Sequence, residues 1–88
     1  MKEDFISFEL AKKLREKGYH YESRHIYDVL KWLREEKGLY IRPSVYFIGW
    51  CYDITTAEGK RLHGTECEYY SYEETVNAGI EYAVDNLI

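Results

Sequence analysis

The sequence is poor in the residues that staple or interrupt a small protein. Its 88 residues include two cysteines, one proline and one methionine. Two cysteines are too few for the disulfide framework of a small secreted domain, so Cys51 and Cys67 are predicted to be free thiols in a reducing cytoplasm. The sequence leaves open whether these two thiols are neighbours.

Long apolar runs are also missing. No run approaches the roughly 18 residues of a membrane-spanning helix, and Met1 to Ile6 lack the basic start and apolar stretch of a signal peptide. The length suits one domain, which buries about 60 to 65% of the surface that its unfolded chain exposes. We therefore predict a bacterial-type cytoplasmic protein with a single domain over residues 1–88 and no membrane contact.

Basic residues are scarce in the second half of the chain. The formal net charge is −4, and Lys60 and Arg61 are the only basic residues after Arg42, against eight Asp and Glu. Such a surface repels phosphate backbones and favours either solubility or a basic partner.

Recognisable catalytic and metal-binding motifs are absent from the sequence. The six glycines are scattered, so no Gly-rich phosphate loop is formed. Alternation along a predicted hairpin places Cys51, His63 and Cys67 on one face, but His63-x3-Cys67 on a strand lacks the closely spaced ligand pair of a zinc site. No local signature supports a Cys-His nucleophile. We therefore predict a non-enzymatic protein with no catalytic residue, no cofactor and no metal.

Three segments have apolar residues at helical spacing together with end signals. The first follows a predicted Ser7 cap and ends at Gly18, the second ends at Lys37-Gly38, and the third follows a capping box formed by Ser71 and Glu74. Their apolar stripes are Leu10, Ala11 and Leu14; Ile26, Val29, Leu30 and Leu33; and Val76, Ile80, Ala83, Val84 and Leu87.

Between the second and third helices the apolar period changes to alternation, which indicates strands. We predict a short strand from Leu39 to Arg42 that stops before Pro43, a longer one from Tyr46 to Ile54, a turn at Glu58-Gly59, and a weaker strand from Arg61 to Tyr69. The core face of the longer strand is predicted to hold Tyr46, Ile48, Trp50, Tyr52 and Ile54. The fold class is therefore α+β, in the order helix-helix-strand-strand-strand-helix, with helices packed on one face of a small antiparallel sheet of two or three strands.

Aromatic residues are abundant: ten Tyr, three Phe and two Trp. Five of them have no position in the predicted core: Tyr19, Tyr21, Phe47, Tyr69 and Tyr70. Because Tyr is enriched at protein interfaces, these five form the candidate interaction surface. The alternative is that they cover the ends of a thin core.

Nucleic-acid binding is the alternative function. Two helices followed by a hairpin fit a winged helix-turn-helix, and a helix, three strands and a helix fit a double-stranded-RNA-binding domain. The basic residues at the second helix that would contact phosphates are Arg24, Lys31, Arg34 and Lys37. The connection over residues 18–25 is too long for a helix-turn-helix, and Glu73 and Glu74 open the last helix where phosphate contacts would need lysines. The charge distribution therefore disfavours this alternative.

Four segments carry a resemblance to a known family: FISFELAK at 5–12, VLKWLR at 29–34, GWCYDI at 49–54, and 71–88, which starts SYEE and ends NLI. Over nearly its whole length the chain resembles a family of small bacterial proteins of unknown function, often encoded in prophages or other mobile elements of gut anaerobes. Thr75-Val76 stands where that family has Ala-Leu. The resemblance implies a compact α+β domain and brings no activity or site residues. We expect an interaction domain that binds an unknown protein or a second copy of itself.

Overall fold

A computed structural model describes residues 5–88, in which three helices pack on a three-stranded sheet. The elements are α1 (Phe8–Glu16), α2 (Ile26–Lys37), β1 (Tyr40–Tyr46), β2 (Gly49–Thr55), β3 (Arg61–Gly64) and α3 (Tyr72–Asn86). The strand order is β1-β2-β3, and both pairings are antiparallel. The predicted α+β class and element order are confirmed.

The helix ends follow the local signals in the sequence. Ser7 Oγ accepts a hydrogen bond from the Leu10 amide at 3.1 Å, and Ser71 Oγ accepts one from the Glu74 amide at 3.1 Å. Such caps satisfy N–H groups that have no partner within the helix. At the other end of α2, Gly38 takes the left-handed conformation with φ 68°, as a C-cap glycine does.

The capping box of α3 differs from the prediction in one bond. The Glu74 carboxylate accepts from the Tyr70 amide at 2.8 Å, one residue before the Ser71 amide that a capping box uses. The bond ties the chain preceding α3 to the first turn of the helix. This backbone hydrogen bond therefore fixes the position of Tyr70, whose side chain is exposed.

The predicted end of the first strand before Pro43 is wrong, because β1 runs through Pro43 to Tyr46. Pro43 lies opposite Tyr52, whose amide and carbonyl both bond Thr65 on the far side, at 3.2 and 3.0 Å. The Pro43 nitrogen therefore faces the free edge of the sheet, where a missing N–H breaks no ladder bond.

The predicted strand from Tyr46 to Ile54 is interrupted by a two-residue turn. Tyr46 pairs with Gly49, and Phe47 and Ile48 form the turn between them. Gly49 takes φ 147°, a backbone conformation that residues with a side chain rarely adopt. Tyr46 and Ile48 are consequently 60% and 77% exposed, so placing them in the core was wrong. The same prediction is confirmed for the buried Tyr52 and Ile54.

The last predicted strand is also shorter than expected. β3 ends at Gly64, and a three-residue turn follows, closed by a 2.9 Å hydrogen bond from the Glu68 amide to the Glu66 carbonyl. Pairing with β2 resumes at Tyr69, which exchanges two backbone hydrogen bonds with Trp50 at 2.9 and 3.2 Å. The predicted strand from Arg61 to Tyr69 is therefore wrong as a single element. The segment forms a short strand, a turn and an isolated bridge.

Helix α3 packs closely against the sheet at Gly79. A Cβ on Gly79 would lie 2.8 Å from Ile41 Cγ2 and 3.3 Å from Tyr52 Cδ1. The apolar stripe of α3 supplies Val76, Ile80, Ala83 and Val84, all fully or almost fully buried, as predicted. The helix-to-sheet distance therefore depends on the missing side chain at position 79.

Within residues 5–88 no helix has the length and hydropathy needed to cross a membrane. The longest, α3, has 15 residues.

Candidate functional site

Exposed apolar side chains concentrate at the turn end of the β1–β2 hairpin. The Phe47 side chain is fully exposed, and Ile48 is 77% exposed. We define the hairpin-end patch as the six exposed residues Val45, Tyr46, Phe47, Ile48, Tyr70 and Tyr72. The patch combines two segments that lie more than 20 residues apart in the sequence.

Close backbone contact brings these two segments together. A Cβ on Gly49 would lie 3.1 Å from the carbonyl oxygens of both Cys67 and Tyr69, so the second segment crosses directly over this glycine. The rings of Trp50 and Tyr72 meet edge to face, with centroids 5.9 Å apart. Close backbone and ring contacts therefore lie beneath the patch, although its own side chains are exposed.

The composition of the turn is unusual. Turns usually hold Gly, Pro, Asn, Asp or Ser, which suit their backbone angles or hydrogen-bond to them. Here the two turn positions hold Phe47 and Ile48, whose exposed side chains bury little surface. Folding gains little from them, and contiguous exposed apolar groups are typical of interaction sites.

Carboxylates flank one of the two segments of the patch. Segments 45–50 and 66–74 contain four acidic residues and no Lys or Arg: Glu66, Glu68, Glu73 and Glu74. We call these four residues the acidic rim. Burial raises the pKa of the Tyr69 hydroxyl, and the negative charges of Glu68 and Glu74 raise it further. The charges that act on Tyr69 beside the patch are therefore negative.

Three of the five predicted interaction residues lie at this end of the sheet. Phe47 and Tyr70 are exposed, Tyr70 by 90%, whereas Tyr69 is half-buried and packs against the core. The Tyr69 ring lies 6.0 Å from the Tyr52 ring. Tyr69 therefore supports the patch from below, while Phe47 and Tyr70 present their rings outward.

The placement of Tyr19 on an interaction surface is wrong. Its side chain is 2% exposed, its hydroxyl donates to the Ser23 carbonyl at 2.8 Å, and its ring meets the Trp32 ring at 5.2 Å. Burial raises the pKa of this hydroxyl, and the charge of Asp28 adds to the effect. Tyr19 is a core residue despite lying between two helices.

Tyr21 occupies a second location, at the connection between α1 and α2. It is 62% exposed and lines a cavity of about 340 Å³ together with Tyr19, Trp32 and Glu35. The Lys37 ammonium lies 5.5 Å from the centre of the Trp32 ring and so already provides a cation for it. The five predicted residues therefore do not form one surface.

The structure separates His63 from the cysteines. His63 pairs with the buried Ile54, and its ring stacks on Tyr82 of α3 at 3.5 Å, so it faces the helices. Cys51 lies on the opposite face, because neighbouring residues of a strand alternate. Placing these three side chains on one face was wrong. Within residues 5–88, no group of three or more His, Cys, Asp or Glu is arranged to hold a metal ion.

Sequence reasoning missed Val45, Tyr46, Ile48 and Tyr72 as members of the patch. The available signal was Gly49, because an isolated glycine within an alternating segment indicates a turn or bulge. No protein-family model, curated protein or solved structure matches this chain.

Proposed function

We propose that this protein is a non-enzymatic interaction domain that docks a protein partner on its hairpin-end patch. The partner surface is apolar at its centre and carries Lys and Arg around it. The observation that carries the proposal is the pair of apolar side chains, Phe47 and Ile48, exposed at the tip of the β1–β2 hairpin. The resemblance supplies the setting, the cytoplasm of a bacterium that carries a prophage or other mobile element.

The partner contacts side chains and adds no strand to the sheet. β1 is an edge strand, and such edges can pair with a strand from another chain. Pro43 lies in the middle of β1 with its nitrogen toward the free edge, so one of the required donors is missing. Binding energy therefore comes from burying the patch, as at interfaces with aromatic anchors.

Charge complementarity favours a basic partner over a second copy of the chain. The four glutamates of the acidic rim all lie in segment 66–74, which also contributes Tyr70 and Tyr72 to the patch. Two copies that met through this patch would bring these carboxylates together, and like charges across an interface cost several kcal/mol. A basic partner gains attraction at the same positions.

The same charges oppose nucleic acid. From α2 onward the order of helix, three strands and helix fits a double-stranded-RNA-binding domain, but Glu73 and Glu74 occupy the first turn of α3. Phosphates would be repelled there. Arg24, one of the basic residues considered for such binding, donates to the Ile6 carbonyl at 2.6 Å and lies 3.9 Å from the centre of the Phe8 ring. This guanidinium already has intramolecular partners.

Photo-crosslinking from the patch tests the proposal. With benzoylphenylalanine at position 47, in the cells that naturally produce the protein, we expect a crosslink to a protein whose linked segment is rich in Lys or Arg. The same probe at Tyr27, which is 61% exposed on α2, is the matched control and should not yield this product. The yield should fall with added salt, because the complementary charges are screened.

Each other product has a definite meaning. A crosslink from position 47 to a second copy of the chain would show self-association instead. A nuclease-sensitive product would support the nucleic-acid alternative, and no product specific to position 47 would contradict docking at the patch.

A further inference from the structure

Two thiols meet on the sheet face that points away from the helices. Cys51 lies in β2, and Cys67 lies at the centre of the turn from Glu66 to Glu68. Both are half-buried free thiols, and they are close enough that Cys67 raises the pKa of the Cys51 thiol. Nothing in the proposed docking function uses this contact.

The backbone holds the two cysteines together from both sides. On one side, Tyr52 shares two hydrogen bonds with Thr65, and on the other, Trp50 exchanges two with Tyr69. Cys51 follows Trp50 directly, and Cys67 lies two residues from each end of segment 65–69. Disulfides need Cα atoms roughly 4.4–6.8 Å apart, a separation that neighbouring antiparallel chains provide. The flanking hydrogen bonds thus hold the segment that carries Cys67 alongside Cys51.

We propose that Cys51 and Cys67 are a reversible oxidation site that forms an intramolecular disulfide with a low-molecular-weight disulfide such as oxidised glutathione. One protein thiolate attacks the glutathione disulfide, which gives a mixed disulfide and releases one glutathione. The second protein thiolate attacks the protein sulfur of the mixed disulfide and releases the other glutathione. Both thiol protons pass to the released glutathiones, so two protein thiols are oxidised and one disulfide is reduced.

The environment of Cys51 makes the reaction pH-dependent. Burial raises the pKa of this thiol, and its hydrogen bond with Cys67 and the charge of nearby Asp53 raise it further, while Arg61 acts in the opposite direction. The reactive thiolate of Cys51 is therefore scarce at neutral pH, and the rate of oxidation should increase as the pH rises.

The test is to incubate the purified, reduced protein with oxidised glutathione and to determine intact masses after acid quenching. We expect a monomer that has lost two hydrogen atoms and carries no glutathione. In Cys51→Ser and Cys67→Ser the second step is impossible, so each variant should lose this product and accumulate one glutathione adduct. The Tyr69 amide should exchange more slowly in the oxidised protein than in the reduced one, because the bond closes the segment onto β2.

Three results would overturn the inference: a wild-type protein that accumulates two glutathione adducts, one that forms disulfide-linked dimers, or one that stays reduced while its unfolded form reacts. None of them bears on docking, since the crosslinking probe at position 47 is read independently of the oxidation state.

Discussion

Tyr19→Ala is expected to lower the free energy of unfolding by about 3–5 kcal/mol, the usual cost of removing a large buried aromatic ring. The ring is 2% exposed and packs on Trp32, and its hydroxyl donates to the Ser23 carbonyl. Total stabilities of small domains are about 5–15 kcal/mol, so this single change would leave the protein near its unfolding threshold. Chemical denaturation of the purified variant measures the loss.

Tyr21→Ala is the matched control, because Tyr21 lies two residues away and is 62% exposed. Its ring touches Tyr19 at a centroid distance of 5.4 Å, so we expect a loss of about 1 kcal/mol or less. Tyr19→Phe keeps the ring and removes the hydrogen bond, for about 1 kcal/mol. Equal losses in the two alanine variants would show that Tyr19 is not a core residue.

Gly79→Val is expected to destabilise the protein by about 3 kcal/mol, at the upper end of ordinary overpacking. The first added carbon would lie 2.8 Å from Ile41 Cγ2 and 3.3 Å from the Tyr52 ring, so α3 would have to move off the sheet. Valine has a better helix propensity than glycine, and a loss of stability would therefore be due to packing alone. The free energy of unfolding from chemical denaturation measures the effect.

A second-site change identifies the contact responsible. Ile41→Ala removes the methyl group nearest to position 79, so Gly79→Val should cost at least about 1 kcal/mol less in that background, a coupling typical of residues in contact. Purely additive effects would place the strain elsewhere in the helix.

Local signals made the helices predictable. Ser7 and Ser71 cap α1 and α3, and Gly38 ends α2, because each feature satisfies backbone groups within a few residues of itself. The buried stripe of α3 followed from its spacing alone. These elements need no knowledge of distant contacts.

The hairpin was not predictable in the same way. Apolar residues alternate in the sequence from Tyr46 to Ile54, which predicts one strand. The two-residue turn at Phe47 and Ile48 instead places Tyr46 on the same face as its partner Gly49, opposite to the face of Tyr52 and Ile54. The predicted end of the first strand before Pro43 is wrong for a related reason. A proline is tolerated on an edge strand, and only the strand order shows that β1 is one.

The candidate site was predictable in part. Phe47 and Tyr70 stood out because no regular element gave them a core position, and both are exposed. Tyr19 stood out by the same reasoning and is buried, because its burial comes from a tertiary contact with Trp32 that lies outside any local period. Exposure of a residue in a connection thus depends on the elements that cover it.

The affinity of the partner crosslinked at position 47 for wild-type, Phe47→Ala and Tyr27→Ala proteins tests docking at the hairpin-end patch most directly. Phe47→Ala should weaken binding by about 30-fold or more, which corresponds to the loss of a hot-spot residue of about 2 kcal/mol. Its free energy of unfolding should stay within about 0.5 kcal/mol of wild type, because the removed ring is fully exposed. Tyr27→Ala should leave the affinity unchanged within about twofold, a small effect expected of a residue outside the interface. Equal affinities of the two variants would contradict docking at the hairpin-end patch.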